Sequence, residues 1–288
     1  GPLAGADVSP GAFAPAFVRV SPDGSRIAVG NNGGVSFGNF QVGVFDLNGL
    51  NGGWYPADHF DAAWIDNQQL ALTGGTFGQP ARVIALDTVS PFATPTIQTL
   101  IEGIGGGSAG VAFDAQGNLY TGNGFDGAGT SDTGWVKAFD AGDWQAALSG
   151  GAAIDFEAEG TLIVDVLSAG ALGFDAAGNL HVGGGDFSGS GEFGFAALVR
   201  AGEVQSALGG GGAVNAANPN AVRRLDPDTA NGFNFYDVNF NAVTGELYVR
   251  EGSTVYSYVV PEPGTLTLMA MLAGTVVARR RGTKRLRC

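Results

Sequence analysis

The chain has 288 residues, of which 50 are glycine and only 14% are charged, and its formal net charge is −13. Six of the 14 basic residues lie after Val260, so the first 260 residues carry eight basic against 26 acidic groups, a formal charge near −18. That field disfavours nucleic acid and anionic membrane surfaces and favours cations or basic partners. The single cysteine, Cys288, excludes a disulfide, a thiolate metal site and a cysteine nucleophile from the body.

The chain opens Gly1-Pro2-Leu3-Ala4, without a methionine or a charged-plus-apolar leader. A secretory signal that has been removed or replaced is the expectation. From Phe17 one phrase recurs: a short extended run, a turn built on Asp, Asn or Gly, and a second extended run. The copies are 17–30, 61–74, 110–122, 171–183 and 237–250. Each predicts a hairpin whose turn places Gly or Asn at positive φ.

A third strand is expected at 40–47, 81–87, 135–140, 196–200 and 254–259, and a fourth at 96–101, 161–167 and 221–225. Two sister stretches, 143–151 and 203–210, read instead as one or two helical turns stopped by glycine. Three- to four-stranded antiparallel units at a spacing of about 45 to 66 residues predict blades around an axis. The expected fold is all-β: a single irregular β-propeller over 1–260, five-bladed, with the N-terminal strand completing the last blade. A degenerate sixth blade in the gaps after Asp140 and Arg200 is the alternative. The phrase V-x-F-D-x-x-G-N-L-Y-V resembles strands of several propeller families, NHL-like proteins among them, without the Gly-His and Trp-Asp signatures of WD repeats.

Candidates for chemistry are few. Only His59 and His181 offer an imidazole, and His181 takes the place that Tyr120 and Tyr248 take in sister copies, which favours packing or channel lining. No G-x-S-x-G, H-E-x-x-H or C-x-x-C motif is present. The connections after the second strand carry Asp126, Asp132, Asp186 and Glu192 among glycines and hydroxyls. Such oxygen donors suit Ca2+, although none has EF-hand spacing; solvated acidic turns are the plainer reading. Trp54, Tyr55 and Phe125, with His181, are candidates for contacting a ligand such as a sugar.

The last thirty residues differ from all of this. Pro261-Glu262-Pro263-Gly264 is followed by an uncharged stretch from Thr265 to Ala278 and then by Arg279-Arg280-Arg281. Fourteen residues fall short of the roughly 20 that a helical span prefers, yet the basic end has the asymmetry that holds a segment at a cytoplasmic membrane face. This order and spacing resembles the C-terminal sorting signal of bacterial PEP-CTERM proteins, here over 261–288 with a short apolar helix. The apolar stretch is on the short side for that family, and the basic run continues through Lys284, Arg285 and Arg287. The resemblance implies export, transient retention at the inner membrane and processing near Pro-Glu-Pro by an exosortase-type enzyme. It also implies a place at the cell surface, often in species that make exopolysaccharide.

The resulting expectation is a non-catalytic binding or extracellular-matrix component whose partner is an exopolysaccharide or a surface protein. Two alternatives stand beside it. One is a lyase or lactonase-like propeller enzyme with a metal-dependent acidic site at the channel mouth, and the other is a structural subunit of a surface assembly.

Overall fold

A computed structural model describes residues 17–31, 41–47, 51–74, 81–105, 110–123, 135–166, 169–184, 195–215, 218, 222–226, 236–241, 244–251 and 254–259. They form five sheets. The first holds β1 (Val18–Val20), β2 (Arg26–Asn31), β3 (Gln41–Asp46) and β4 (Gly52–Pro56) in sequence order. The second holds β5 (Asp61–Trp64), β6 (Gln69–Gly74), β7 (Ala81–Asp87) and β8 (Thr96–Ile104). In the third, β9 (Val111–Phe113), β10 (Leu119–Gly122) and β11 (Val136–Phe139) are followed by helix α1 (Ala141–Leu148) and β12 (Ile154–Asp155) before β13 (Thr161–Asp165). The fourth repeats that plan with β14 (Ala171–Phe174), β15 (Leu180–Gly184), β16 (Phe195–Val199), α2 (Ala201–Leu208), β17 (Val214–Asn215) and β18 (Val222–Asp226). The fifth is β19 (Tyr236–Asn241), β20 (Glu246–Glu251) and β21 (Thr254–Val259).

This is the expected propeller-like arrangement of five sheets. The first strands β1, β5, β9, β14 and β19 lie side by side in that order. The gaps offered as room for a sixth blade hold α1 with β12 and α2 with β17. Both excursions reach backwards. β12 pairs in parallel with β8 of the second sheet, and β17 with β13 of the third. Each covers an outer edge that would otherwise present unpaired backbone groups. The C-terminal apolar helix anticipated within 261–288 lies outside the described residues, and among the described residues no N-terminal strand pairs with the fifth sheet.

The recurring turn explains why hairpin and helix appear together. Asp114 Oδ1 accepts from the N–H groups of Gln116 and Asn118, both at 2.9 Å, and Gly117 takes φ 82°. A side chain would be strained at that φ, so the turn needs its glycine. Asn118 Oδ1 in turn accepts from Ala141 N–H at the start of α1 (3.3 Å). The fourth sheet repeats every part: Asp175 accepts from Ala177 and Asn179 N–H, Gly178 has φ 78°, and Asn179 Oδ1 accepts from Ala201 N–H (2.9 Å). One aspartate-asparagine turn thus closes the hairpin and caps the helix of its own sheet.

Between sheets the core divides into four apolar clusters. Phe17, Val42, Val44 and Tyr55 pack on Leu70, Leu72 and Leu86 between the first and second sheets. Leu100, Ile101 and Ile104 meet Val111, Leu119 and Phe139 between the second and third, with Trp144 of α1 joining them. Tyr120, Ile163 and Val164 meet Leu172 and Leu180 between the third and fourth. Ala171 and Ala196 meet Val238, Leu247 and Val249 between the fourth and fifth.

Candidate functional site

The charged groups that converge in the described structure do so at the inner strands. Arg19, in the middle of β1, is the centre. Its Nη2 pairs with Asp61 Oδ1 (2.5 Å) at the head of β5 and with Asp237 Oδ1 (2.9 Å) on β19. Its Nη1 reaches Asp237 Oδ2 (3.3 Å), and its Nε donates to the Ala62 carbonyl (2.8 Å). Asp61 spends its other oxygen on Val111 N–H of β9 (3.0 Å). Three side chains therefore connect the first, second, third and fifth sheets.

The planar guanidinium suits this task, because its fork serves two carboxylates at fixed angles and keeps its charge when desolvated. Burial works against the Arg19 charge, but Asp237 and Asp61 outweigh it and raise its pKa further above the ordinary arginine range. Burial pushes Asp61 up to about 6, with Asp237 adding to the rise and Arg19 opposing it. The cluster places one guanidinium between two carboxyl groups. A metal ion would have to displace Arg19 to use them.

The two histidines lie elsewhere. His59 is buried, with Nδ1 2.9 Å from the Ala57 carbonyl and its ring edge-on to Phe17 at 5.3 Å. Burial lowers its pKa to about 4, so the ring is neutral and Nδ1 carries the donating hydrogen. A Cβ on Gly30 would come within 2.8 Å of that ring, which explains why this close approach needs glycine. His181 has no exposed surface and places Nε2 3.0 Å from Asp175 Oδ2. Tyr120 OH makes the matching bond to Asp114 Oδ2, also at 3.0 Å, so the sister position is a scaffold contact. Burial alone would raise the Asp175 pKa, but hydrogen bonds from His181 and Asn179 hold it below the ordinary carboxylate value.

The residues anticipated as ligand contacts separate. Tyr55 is fully buried, its hydroxyl 2.8 Å from the Thr88 carbonyl and its ring 4.7 Å from Phe92. His181 is equally inaccessible. Trp54 is half-buried and packs edge-on to Phe45. The structure brings none of these three together. Phe125, Asp126 and Asp132 fall in 124–134, and Asp186 and Glu192 in 185–194, outside the described residues, as do Pro261, Glu262, Pro263, Gly264, Arg279, Arg280 and Arg281. Among the described residues no three His, Cys, Asp or Glu side chains are grouped to hold a metal.

Sequence reasoning passed over Arg19, Asp61 and Asp237, although one signal was present. Asp61 and Asp237 each stand three residues before an aromatic, Trp64 and Phe240, where the third and fourth copies have Gly110 and Ala171. A carboxylate at one repeat position in two copies calls for a cation between them. A second missed residue is Lys137 on β11. Its buried Nζ donates to the carbonyls of Phe156 (2.6 Å) and Glu157 (3.1 Å) and sits 4.9 Å from the Phe156 ring centre, tying the turn after β12 to the third sheet.

Residues 259–281 match the PEP-CTERM protein-sorting motif. The chain carries a PEP-CTERM sorting signal. The signal directs export to the cell surface, with membrane-linked sorting before processing by an exosortase-type enzyme. It gives an address for the whole protein and leaves the propeller's role to its own residues.

Among solved structures the chain is similar to one from the crystal structure of the mitotic checkpoint complex. They are 14% identical with a TM-score of 0.44 over 87% of this chain and 62% of that one. It is also similar to the Pyrococcus horikoshii acylaminoacyl peptidase, 12% identical with a TM-score of 0.40 over 86% of this chain and 39% of that one. The chain thus spans less than two thirds of either. No curated protein matches it.

Proposed function

We propose that the propeller is a non-catalytic binding or matrix component of the cell surface, recognising a glycan, a partner protein or Ca2+ through the connections between second and third strands. The observation that carries this reading is Arg19, which occupies the space between the inner carboxylates Asp61 and Asp237. Charges that would otherwise be available to polarise a substrate or hold a catalytic metal are spent on holding sheets together. The histidines support the same reading, since His181 is committed to Asp175 and His59 is kept neutral by burial.

Recognition is then assigned to 32–40, 75–80, 124–134 and 185–194, which follow the second strand of the first four sheets in the sequence. Connections between strands commonly carry binding residues on a rigid scaffold. Asp126, Asp132, Asp186 and Glu192 supply oxygen donors of the sort Ca2+ accepts, and the body's strong negative charge draws cations toward them.

Thermal unfolding in Ca2+ and in chelator tests the calcium part. The melting temperature rises by several degrees with Ca2+, and Asp126→Asn with Asp132→Asn abolishes the rise. No shift, together with no bound metal by elemental analysis, removes calcium from the reading. The address has a separate test. Mass spectrometry of the native surface form shows loss of residues beyond Pro261-Glu262-Pro263, and a mature surface protein retaining Cys288 overturns processing there.

A further inference from the structure

The four apolar clusters join neighbouring sheets from the first to the fifth, and among the described residues none joins the fifth back to the first. The strand pattern explains this. On β19, Val238 and Phe240 face the fourth sheet, while Asp237, Asn239 and Asn241 alternate with them onto the other face. The cross-strand rows through Asn239 and Asn241 continue that polar face with Tyr248 and Glu246 of β20. On β21 the Asn239 row ends on Ser257 and the Asn241 row on Val259, while Val255 ends the row of Asp237; Val255 and Val259 are 61% and 76% exposed. On the first sheet, Val18 and Val20 flank Arg19 on the opposite face and are 45% and 52% exposed, whereas Val29 and Phe45, in the same cross-strand rows further along the sheet, are buried. What links the two sheets is the Arg19–Asp237 contact, through both terminal nitrogens of the guanidinium.

We propose that the ring closes between its fifth and first sheets through this arginine contact, and that this ionic junction is where the propeller opens. The physical consequence is a division of stability within one fold. Sheets joined by interdigitated apolar side chains separate only when that surface is hydrated. A junction held by a charged contact with half-exposed valines beside it separates at less cost and recloses readily. Arg19 remains on the first sheet when the junction parts, because Asp61 and the Ala62 carbonyl hold it from the second. The moving part is therefore the fifth sheet, hinged on its apolar contact with the fourth.

Hydrogen exchange of the full chain, followed by mass spectrometry, tests this in two steps. In the unmutated protein, β19–β21 exchange as one unit ahead of β6–β15. In Asp237→Asn, which removes the charge from a partly exposed side chain and leaves the Arg19–Asp61 pair intact, β19–β21 exchange about tenfold faster while β6–β15 keep their rates. Equal protection of the fifth and the central sheets in the unmutated protein overturns the proposal. So does an Asp237→Asn pattern indistinguishable from the parent, because closure then resides in other contacts, such as a strand supplied by 1–16. Loss of protection spread evenly over all five sheets in the variant also overturns it, since the contact would then support the whole ring rather than one junction.

Discussion

The junction between the third and fourth sheets and the junction between the fifth and first perform the same geometric task with opposite chemistry. The former buries Tyr120, Ile163, Val164, Leu172 and Leu180 behind α2, whose Val204 and Ala207 extend the cluster. At the latter, Asp237 of the fifth sheet meets Arg19 of the first, whose guanidinium also holds Asp61 of the second. Apolar contact is non-directional and grows with area, so a repeated strand pattern suffices to build it. An ionic contact needs particular atoms in register and gains little unless both partners are fully served. A repeat can therefore propagate the first kind of junction by itself, while the place where its two ends meet needs a specific solution.

The largest effect that would break this comparison is expected at Arg19. Arg19→Met leaves Asp61 buried without its cation, and urea unfolding should register a loss of about 3–5 kcal/mol. A loss under about 1 kcal/mol would show the cluster to be incidental. Leu180→Ala, at the apolar junction, should cost about 2–5 kcal/mol and lower the protection of all sheets together, because the cavity it leaves lies in a shared core.

The pH dependence sharpens the contrast further. Asp61 binds its proton more tightly folded than unfolded, so its contribution is full below the ordinary carboxylate value and is lost as pH rises through about 6. His59 does the reverse. Its folded pKa of about 4 lies below the ordinary 6.5, so stability is full above 6.5 and falls as pH drops toward 4. Over the shared window the two contributions oppose one another. The two substitutions should therefore tilt the parent's melting profile between about pH 4 and 6 in opposite directions. Asp61→Asn should make it rise with pH, and His59→Gln should make it fall. Parallel profiles for all three proteins would refute both assignments.

The smallest effect is expected at His181. His181→Phe removes the bond to Asp175, at a cost of about 1–3 kcal/mol by thermal unfolding. His181→Tyr, which copies Tyr120 with Asp114, should recover part of that loss. Equal destabilisation by both would show that the sister turns are not equivalent.

Much of the architecture was legible because its signals are local. Alternating strands, an aspartate three positions before a positive-φ glycine, and a helix stopped by glycine each depend on neighbours within one hairpin, so five sheets and two helices could be read from 17–259. The sorting motif is more local still, a contiguous order of Pro-Glu-Pro, apolar and basic residues that needs no fold to be recognised. Other features belong to the tertiary structure alone. Tyr55 looked like a surface aromatic and is a core residue, because the half-turn after β7 supplies the Thr88 carbonyl for its hydroxyl. α1 and α2 looked like ornaments on their own sheets, and the strands after them instead cover the edges of the sheets before. Arg19 stands 42 and 218 positions from Asp61 and Asp237, a separation over which no periodicity reports. Periodicity tells each strand which face to bury. Which charges then share a low-dielectric space depends on ring closure, and that is set only when the last sheet comes round to the first.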